Sequence, residues 1–364
     1  MLIASSLINN FKNIINKNFN WGPGINFISG PNGSGKTNLL EALNILTGWG
    51  TFGSRTRDCI NWESDSQDQR AYLNSELKSN PNLAKGVDLE LYQDLFANNN
   101  NYKVTAQLSS KISLKLDDKK ISNTDLRLII PSISFQPQDI NLIDGSPAVR
   151  RFFIDKLCAL YFPPYAKRLS EFKQIARHRA ALLRQNKSVN ITDFPFANLG
   201  GWIMEARRIV SHELAKNFAR LFNNSNIKFF LMPELDNNLE GHAYLLNIIR
   251  DKNYIIRESA AMRVLVGPSH DDLKILFNGR EASVALSRGQ KRRLVLYLII
   301  ASGYLISSRL RTRPVLLFDD LAAELDKNNL RICGEALLKT NWQIFVTGTE
   351  DLLPELDKNI YSMA

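Results

Sequence analysis

The sequence predicts an α/β fold, with a mixed sheet in its core and a smaller helical domain. The apolar stretch Gly24–Ser29 leads through a glycine-rich turn into a helical stripe of leucines. A second apolar run, Val315–Phe318, ends in two acids, as buried parallel strands often do. Between these runs lies a long helical pattern, residues 147–222, broken by prolines and a glycine pair. The expected division is a discontinuous core, residues 1–145 and 225–364, and an inserted helical lobe, residues 146–224.

The glycine-rich turn fits the phosphate-binding P-loop at every fixed position. It consists of Gly30, Pro31, Asn32, Gly33, Ser34, Gly35, Lys36 and Thr37. The glycines let successive N–H groups point into one concavity, and the dipole of the next helix favours an anion there. We expect Lys36 to lie at the β- and γ-phosphates and to serve catalysis, and Thr37 to ligate Mg²⁺. A turn without function would lack this flanking strand and helix, so ATP with Mg²⁺ is the predicted ligand.

The two acids after Val315–Phe318 are candidates for the chemistry of this ligand. Carboxyl ends of parallel strands meet at one edge of a sheet, where P-loops also lie. We expect Asp319 to join the Mg²⁺ shell and Asp320 to polarise the attacking water as the catalytic acid. A strand followed by an ordinary acidic turn is the alternative for this run taken alone.

A third motif, Leu286-Ser287-Arg288-Gly289-Gln290, precedes a basic and then apolar helix, with Ser287 as its predicted N-cap. The motif resembles the signature loop of ABC-type ATPases, and the later Ala323-Glu324-Leu325-Asp326 resembles their D-loop. In that class, the signature serine of one subunit touches the γ-phosphate on its partner's P-loop. The resemblance therefore implies an ATP-dependent homodimer, with dimer contacts from Ser287, Gly289, Gln290 and Asp326.

The resemblance to ABC-type heads has weaker points. Gln136, which follows an apolar stretch, is a candidate for the Q-loop glutamine and a Mg²⁺ ligand, and Gln138 competes with it. Thr347-Gly348-Thr349 follows the last predicted strand, Trp342–Val346, where transporters usually carry a histidine. Most heads of this class also have Glu where this chain has Asp320. Because a shorter side chain holds water less closely, we expect slow hydrolysis that suits a switch.

Length and composition help to distinguish which kind of ABC-type ATPase this chain resembles. The chain has 364 residues, 44% of them hydrophobic, and a mean hydropathy of −0.20. No apolar run approaches the ~20 residues needed to span a bilayer, and the N-terminus has no signal-peptide pattern. Three cysteines without paired spacing favour a reducing cytoplasm and no structural metal. Without sustained heptads, the long coiled coils of SMC and Rad50 proteins are not expected.

Further elements follow from local patterns. Strands are predicted at Val87–Leu91, Lys103–Ser109, Lys228–Met232, Ala243–Ile249 and Leu273–Phe277, the last three in the core sheet. Loops are predicted at Asn74–Lys85 and Asn98–Tyr102. Helices are predicted at Pro147–Phe162, Tyr165–Asn186 and Trp202–Phe222, with Pro195 and Gly200-Gly201 interrupting the pattern before the last one.

Positive charge gathers in the helical lobe. One helical segment carries Lys167, Arg168, Lys173, Arg177, Arg179, Arg184 and Lys187. Of these, Lys173, Arg177 and Arg184 share a face by their spacing, while Leu169, Phe172, Ala176 and Leu183 form a different, inward stripe. A solvated basic face accounts for the segment equally well. The net charge of +10 and the pI near 9.4 favour a polyanionic partner, so this face is the candidate DNA-binding surface.

Across essentially its whole length the chain resembles the RecF family of bacterial recombination and gap-repair ATPases. The resemblance includes Asn10-Phe11-Lys12-Asn13, the segment Phe135–Asp155, and Gly267–Leu273 with Asn278-Gly279. It implies an ABC-type head with a short helical domain, and binding to single-stranded and double-stranded DNA at gaps or junctions. It also implies the mediator proteins RecR and RecO as partners, recombinase loading and SOS induction. The role of Asp271 and Asp272 stays open between a polar turn and an ATP-site or interface role.

Two other classes remain possible from the residues. The nucleotide-binding subunit of a transporter would need an apolar groove for a membrane partner and normally a switch histidine. A nuclease-linked or overcoming-lysogenisation type ATPase would need a further metal-binding acid cluster or an appended domain. Neither feature is evident in the sequence.

Overall fold

The computed structural model describes residues 1–61, 70–78, 101–222, 226–234, 240–320, 334–335, 337–349 and 358–363. These residues form two compact units, Met1–Ile140 with Ser287–Ala364, and Asn141–Leu286. The second unit is larger than the expected lobe of residues 146–224.

The described residues of the first unit form two sheets, one parallel and one antiparallel, where the sequence predicted one mixed sheet. Five parallel strands stand in the order β14-β3-β13-β12-β8. They are β3 Ile25–Ser29, β8 Ser132–Phe135, β12 Val315–Phe318, β13 Gln343–Gly348 and β14 Lys358–Ser362. Six antiparallel strands stand in the order β2-β1-β4-β5-β6-β7. They are β1 Leu2–Phe11, β2 Ile14–Asn20, β4 Ala71–Lys78, β5 Asn101–Leu108, β6 Ile112–Leu116 and β7 Lys119–Lys120.

Helix α1, Lys36–Leu46, joins the two sheets into one core, since it contacts strands of both. All its residues from Leu39 to Leu46 are buried, so the stripe of leucines predicted from the sequence packs on every side. The short helix α2, Asn123–Ile129, begins with Ser122 as its cap. The packing of α1 against both sheets fixes its first residue at the carboxyl edge of β3.

The helices of the second unit are α3 Asn141–Asp144, α4 Pro147–Tyr161, α5 Tyr165–Arg184, α6 Asn190–Phe222, α7 Gly241–Arg250, α8 Lys252–Ala261 and α9 Ala282–Ala285. Its sheet has the order β11-β10-β9 and is antiparallel. The strands are β9 Ile227–Met232, β10 Asp272–Phe277 and β11 Arg280–Glu281.

Three expectations about this region are wrong. The strands near 228–232 and 273–277 exist, but they pair with each other in the second unit and do not enter the core sheet. Ala243–Ile249 is helical, because its apolar run buries Leu245 and Ile249 at a spacing of four. Helix α6 also continues through Pro195 and the glycine pair.

The glycine pair serves packing between helices. A Cβ on Gly201 would lie 2.2 Å from the main-chain nitrogen of His242. A Cβ on Gly241 would lie 2.5 Å from the Gly201 carbonyl oxygen. These glycines therefore let α6 and α7 approach at backbone contact instead of breaking the helix.

Smaller expectations also change in the first unit. Residues 74–78 belong to β4, where polar and apolar side chains alternate, so the loop predicted at Asn74–Lys85 is wrong there. Asn101 and Tyr102 belong to β5 for the same reason. A further strand, β14, follows β13, so the predicted last strand is not the last; its polar composition had concealed it. The strand predicted at Val87–Leu91 lies outside the described residues.

Helix α10, Arg288–Leu310, packs against β8 and the 3₁₀ turn Pro137–Ile140. Within the described part of the chain, it alone has the length and hydropathy of a membrane span. Its apolar window is 67% buried, which is the property of a core helix. Its composition therefore reflects packing inside the first unit.

Candidate nucleotide-binding site

The P-loop connects β3 to α1 and has the backbone that its glycines predict. Gly33 and Gly35 adopt φ values of 82° and 97°, and Gly35 is the residue before the helix. The Lys36 ammonium donates to the carbonyls of Gly30 at 2.7 Å and Pro31 at 2.8 Å. The cation is thus held over the loop at the positive end of α1, where an anionic ligand is favoured.

Two further observations fit this loop to a phosphate. A Cβ on Gly30 would lie 2.7 Å from the Ser34 hydroxyl oxygen, so the loop closes tightly only with glycine there. The Ser34 hydroxyl is buried and has no hydrogen-bond partner among the described residues. A buried hydroxyl normally has a partner, and a phosphate oxygen in the loop would provide one.

The predicted Mg²⁺ ligands meet at the carboxyl edge of the parallel sheet. The Thr37 hydroxyl lies 2.9 and 3.0 Å from the two carboxylate oxygens of Asp319. The Thr347 hydroxyl donates to Asp319 Oδ1 at 2.8 Å. Burial raises the pKa of the Asp319 carboxyl, and the hydrogen bonds from Thr347 and Thr37 act in the opposite direction. Hydroxyl and carboxylate oxygens suit the hard cation Mg²⁺, so the residues present fit the ion.

Asp320 is held by its main chain. Its N–H donates to the Thr347 hydroxyl oxygen at 2.8 Å, and its φ is 48°. Thr347 therefore connects the two neighbouring acids through one hydroxyl. Sequence reasoning placed Thr347 in the switch region without giving it a role, since only the register of β12 beside β13 brings it to the acids.

Gln136 follows β8, next to the acids in the sheet. Its main-chain N–H donates to Asp139 at 2.7 Å, and its side chain accepts from Gln138. Within the described ranges, no hydrogen bond joins either glutamine to Thr37 or Asp319. Both glutamines therefore remain candidates for the Q-loop.

The turn between β1 and β2 also contacts the P-loop, which the sequence did not predict. Asn13 Nδ2 donates to the Gly33 carbonyl at 3.2 Å, and Asn38 donates to Asn13 Oδ1 at 2.8 Å. Beside it, Lys12 forms an ion pair with the buried Glu41 of α1. The resemblance noted at Asn10-Phe11-Lys12-Asn13 was the available signal, because the spacing of the residues alone does not bring this turn to the loop.

The signature motif begins α10 as predicted. Ser287 accepts from the Gln290 N–H at 3.4 Å, and the Gln290 side chain accepts from the Ser287 N–H at 2.9 Å. This reciprocal capping box satisfies two helix-end donors. Over the described residues, no hydrogen bond or ion pair connects Ser287, Gly289 or Gln290 to the P-loop of the same chain. Asp326 lies outside the described residues.

The basic candidates on α5 differ in exposure. Lys173, Arg177 and Arg184 are exposed, and Phe172 and Leu183 of the inward stripe are buried. Arg179 is fully buried, and its guanidinium bonds Glu258 and Asp193. Arg179 therefore does not belong to a polyanion surface, because its charge is used inside the unit.

Asp271 and Asp272 form ion pairs in the second unit. Asp271 accepts from Arg207 at 2.7 Å and Asp272 from Arg150 at 2.6 Å. Burial raises the pKa of Asp271 to about 6. Both carboxylates thus hold the turn Pro268–His270 and the strand β10 to neighbouring helices, which favours the structural role that the sequence left open.

A parallel sheet, a P-loop, an acid-ended strand separated from the P-loop strand by β13, and a capped signature helix together define an ABC-type P-loop ATPase head. Residues 2–363 match the model of a protein family described as the RecF/RecN/SMC N-terminal domain. The chain belongs to this family.

RecF proteins are among the relatives that match nearly the whole length of the chain. The chain is 28% identical to the DNA replication and repair protein RecF of Clostridium perfringens strain 13, which covers 99% of this chain and 96% of the relative. It is 26% identical to that of Heliobacterium modesticaldum, with 96% and 92% covered. The predicted resemblance to RecF is thereby confirmed.

Solved structures agree on the fold. A structure described as the recombination mediator protein RecF-ATP in the RecFOR pathway gives a TM-score of 0.80 at 24% identity, covering 98% of this chain and 93% of that one. An SMC head bound to the C-winged helix domain of ScpA gives 0.53 at 17% identity, with 97% and 91% covered. The predicted α/β ABC-type fold is confirmed.

Proposed function

We propose that this protein is an ATP-dependent DNA-binding protein of recombinational gap repair and replication, with weak DNA-stimulated ATPase activity that acts as a switch. The observation that carries the proposal is the hydrogen-bonded group Thr37–Asp319–Thr347 beside the P-loop. Its relatives named for DNA replication and repair, and a structure described as RecF-ATP, support the same conclusion.

Different residues of the site bind the phosphates, hold Mg²⁺ and orient the attacking water. P-loop N–H groups and Lys36 bind and orient the phosphates, and Ser34 offers its buried hydroxyl. Mg²⁺ would be held by Thr37 and Asp319, with Gln136 as a further candidate, and it would offset phosphate charge. Asp320 orients water at the γ-phosphate, and its N–H bond to Thr347 fixes its backbone.

Dimerisation completes the site. The capping box holds the Ser287 hydroxyl at the N-terminal end of α10, where the helix dipole favours an anion. No bond ties Ser287 to its own P-loop in the described part of the chain. We therefore propose that Ser287, Gly289, Gln290 and Asp326 contact nucleotide on a second copy, so that ATP drives a homodimer and slow hydrolysis releases it.

The remaining parts of the proposal concern DNA and partners. The exposed face Lys173, Arg177, Arg184 and the net charge of +10 support binding to DNA phosphates. RecR and RecO are the proposed mediator partners in loading recombinase at single-strand gaps and in SOS induction, in the cytoplasm. A similar structure, described as the recombination mediator protein RecF-ATP in the RecFOR pathway, supports this choice.

One experiment tests the proposal. ATP affinity and binding to gapped, single-stranded and duplex DNA are measured for the parent, Lys36→Ala and the control Lys119→Ala, at two salt concentrations. Lys119 is an exposed lysine of the same unit. We expect Lys36→Ala alone to lose most ATP affinity and the ATP-dependent part of DNA binding. Unchanged nucleotide affinity in folded Lys36→Ala would contradict the P-loop assignment.

The hydrolytic role has its own variant. Asp320→Asn keeps the backbone bond to Thr347 and a residue type that tolerates the left-handed region. ATP should bind to this variant while turnover falls. Hydrolysis at the parent rate would exclude Asp320 as the catalytic acid.

A further inference from the structure

A cavity of about 290 Å³ lies within the second unit, between α4, α5 and α6. Its lining includes Arg151, Phe152, Asp155, Phe172, Lys173 and Arg207. The volume is close to the lower limit of small-ligand pockets, roughly 300 Å³. The cavity can therefore hold one small flat group, not a whole nucleoside triphosphate.

Phe152 is the unusual member of this lining because 63% of it is exposed. The buried residues of α4, including Ile154, Leu157 and Cys158, lie on the opposite side of the helix. The Lys156 ammonium lies 4.9 Å from the centre of the Phe152 ring. The exposed Phe152 ring at the border of the cavity therefore has the Lys156 ammonium within cation–π distance.

The charge of the lining is positive. Asp155 is paired with Arg207, whose Nε and Nη2 lie 2.9 and 3.1 Å from its carboxylate. Arg151 makes one hydrogen bond to the described residues, at 2.7 Å to the main-chain carbonyl of Asp271. Lys173 is exposed and forms no ion pair with any described residue. Two cations therefore remain for an anionic ligand.

Lys173 also begins the exposed basic face of α5. From Lys173 to Arg184 the helix rises about 16 Å. Phosphates of one strand in B-form DNA are spaced about 3.4 Å apart along the axis, so this face can contact several consecutive phosphates. Lys173 belongs to both the cavity lining and the basic face. A ligand with a flat ring in the cavity could therefore place its phosphates along the basic face.

We propose that this cavity binds one unpaired base of single-stranded nucleic acid. The base stacks on Phe152, and its flanking phosphates contact Arg151 and Lys173. Stacking on an aromatic side chain beside a basic track is the usual way in which proteins bind single strands without reading sequence. The inference rests on the proposed DNA-binding function and deepens it, because it adds to the basic face a place for an unpaired base that a paired duplex does not offer.

The test uses the full chain with an oligothymidylate of about 15 nucleotides and a duplex of equal length. The variants are Phe152→Ala, Phe152→Trp, Lys173→Gln and the control Ile256→Ala. Ile256 is 67% exposed on α8 and does not line the cavity. Circular dichroism confirms folding before affinity is measured as a function of salt.

Phe152→Ala should weaken single-strand binding on the order of tenfold to a hundredfold, with duplex binding and the salt slope unchanged. Phe152→Trp should retain affinity, and Ile256→Ala should match the parent. Lys173→Gln should reduce the slope of log affinity against log salt by about 0.7, the value for one single-strand phosphate. Light-induced cross-linking of 5-iodouracil in the oligonucleotide should label Phe152.

Several results separate the two proposals. If the parent binds neither DNA, the proposed function fails. If the parent binds single strands and Phe152→Ala binds them equally well, the stacking site is overturned and a protein partner becomes the better occupant. Equal losses for single strand and duplex would also overturn it, since a general basic surface explains them.

Discussion

Replacing Thr347 with valine should remove the one hydroxyl that is hydrogen-bonded to both acids of the site, Asp319 and Asp320. Thr347 is fully buried. Its hydroxyl donates to Asp319 Oδ1 at 2.8 Å and accepts the Asp320 N–H at 2.8 Å. Valine has nearly the same shape and no hydroxyl. The variant therefore removes both hydrogen bonds while the packing around β13 is kept.

The expected cost follows from these two bonds. A hydrogen bond to a charged carboxylate contributes about 1.5–3 kcal/mol. The Asp320 N–H loses its partner as well, but Asp320 is partly exposed and water can replace part of that bond, so its cost lies near 1 kcal/mol. Together the loss in the free energy of unfolding is about 2.5–4 kcal/mol. Thr347→Ser keeps the hydroxyl and should cost only about 1 kcal/mol for the lost methyl group.

Urea unfolding followed by tryptophan fluorescence measures this difference. Of the tryptophans that the structure describes, Trp21, Trp49 and Trp342 belong to the first unit and Trp202 to the second, so the signal reports mainly on the first unit. The valine variant should unfold at a lower urea concentration than the serine variant. It should also need more Mg²⁺ for half-maximal ATP binding, because Asp319 is less well oriented. Equal midpoints for the two variants would refute the bridging role of the hydroxyl.

Three further predictions concern other parts of the chain. Ser287→Arg should keep ATP binding but block dimerisation in sedimentation with a slowly hydrolysed ATP analogue. Ser287→Ala should lose about 1 kcal/mol of capping and also dimerise more weakly, because the hydroxyl that contacts the second copy is gone. Normal dimerisation of the arginine variant would exclude the composite site. Because the folded pKa of Asp271 is about 6, above its unfolded value near 3.9, the folded state holds more protons between pH 4 and 6. The contribution of Asp271 to the free energy of unfolding therefore falls as pH rises through this window, by up to about 1.4 kcal/mol per pH unit. Asp271→Asn should reduce that slope when unfolding is measured at several pH values. An unchanged slope would mean that another group causes the pH dependence. Gly201→Ala should lower the thermal midpoint, since its Cβ would lie 2.2 Å from the His242 nitrogen, while Gly50→Ala, with no atom within 4 Å, should not; equal midpoints would contradict the close helix contact.

Local patterns predicted the first unit well where periodicity and motif agree. The strand Ile25–Ser29, the turn after it and helix α1 follow from an apolar run, three glycines and a leucine stripe. Patterns did not predict sheet membership in the second unit. The strands at 227–232 and 272–277 have ordinary strand composition, and only their pairing with each other decides that they form a separate sheet. The apolar run in α7 was ambiguous in period, so its buried spacing of four became visible only in the fold.

The candidate site shows the same division between local and distant information. Thr37 and Asp319 were predicted to meet because motif and strand end each indicate a sheet edge, and they lie within hydrogen-bonding distance. Thr347 and Asn13 reach the site from other segments through strand register and a hairpin turn. Arg179 was counted among the positive charges of its helical segment, although its acidic partners, Glu258 and Asp193, lie 79 and 14 residues away in the sequence. Such partners cannot be assigned from composition.

The backbone at residue 320 gives a physical reason for a short acid after Asp319. Its φ of 48° lies in the left-handed region, which asparagine and aspartate enter several-fold more often than other non-glycine residues. The Cβ of an L-residue meets a steric cost of about 1–2 kcal/mol there, and a short polar side chain such as that of aspartate offsets it by hydrogen-bonding locally. The Thr347 hydroxyl holds this conformation by accepting the Asp320 N–H. Of the two acidic residue types, aspartate is therefore the one that this backbone accommodates better, so the slow switch proposed for the protein is consistent with the local structure of the site.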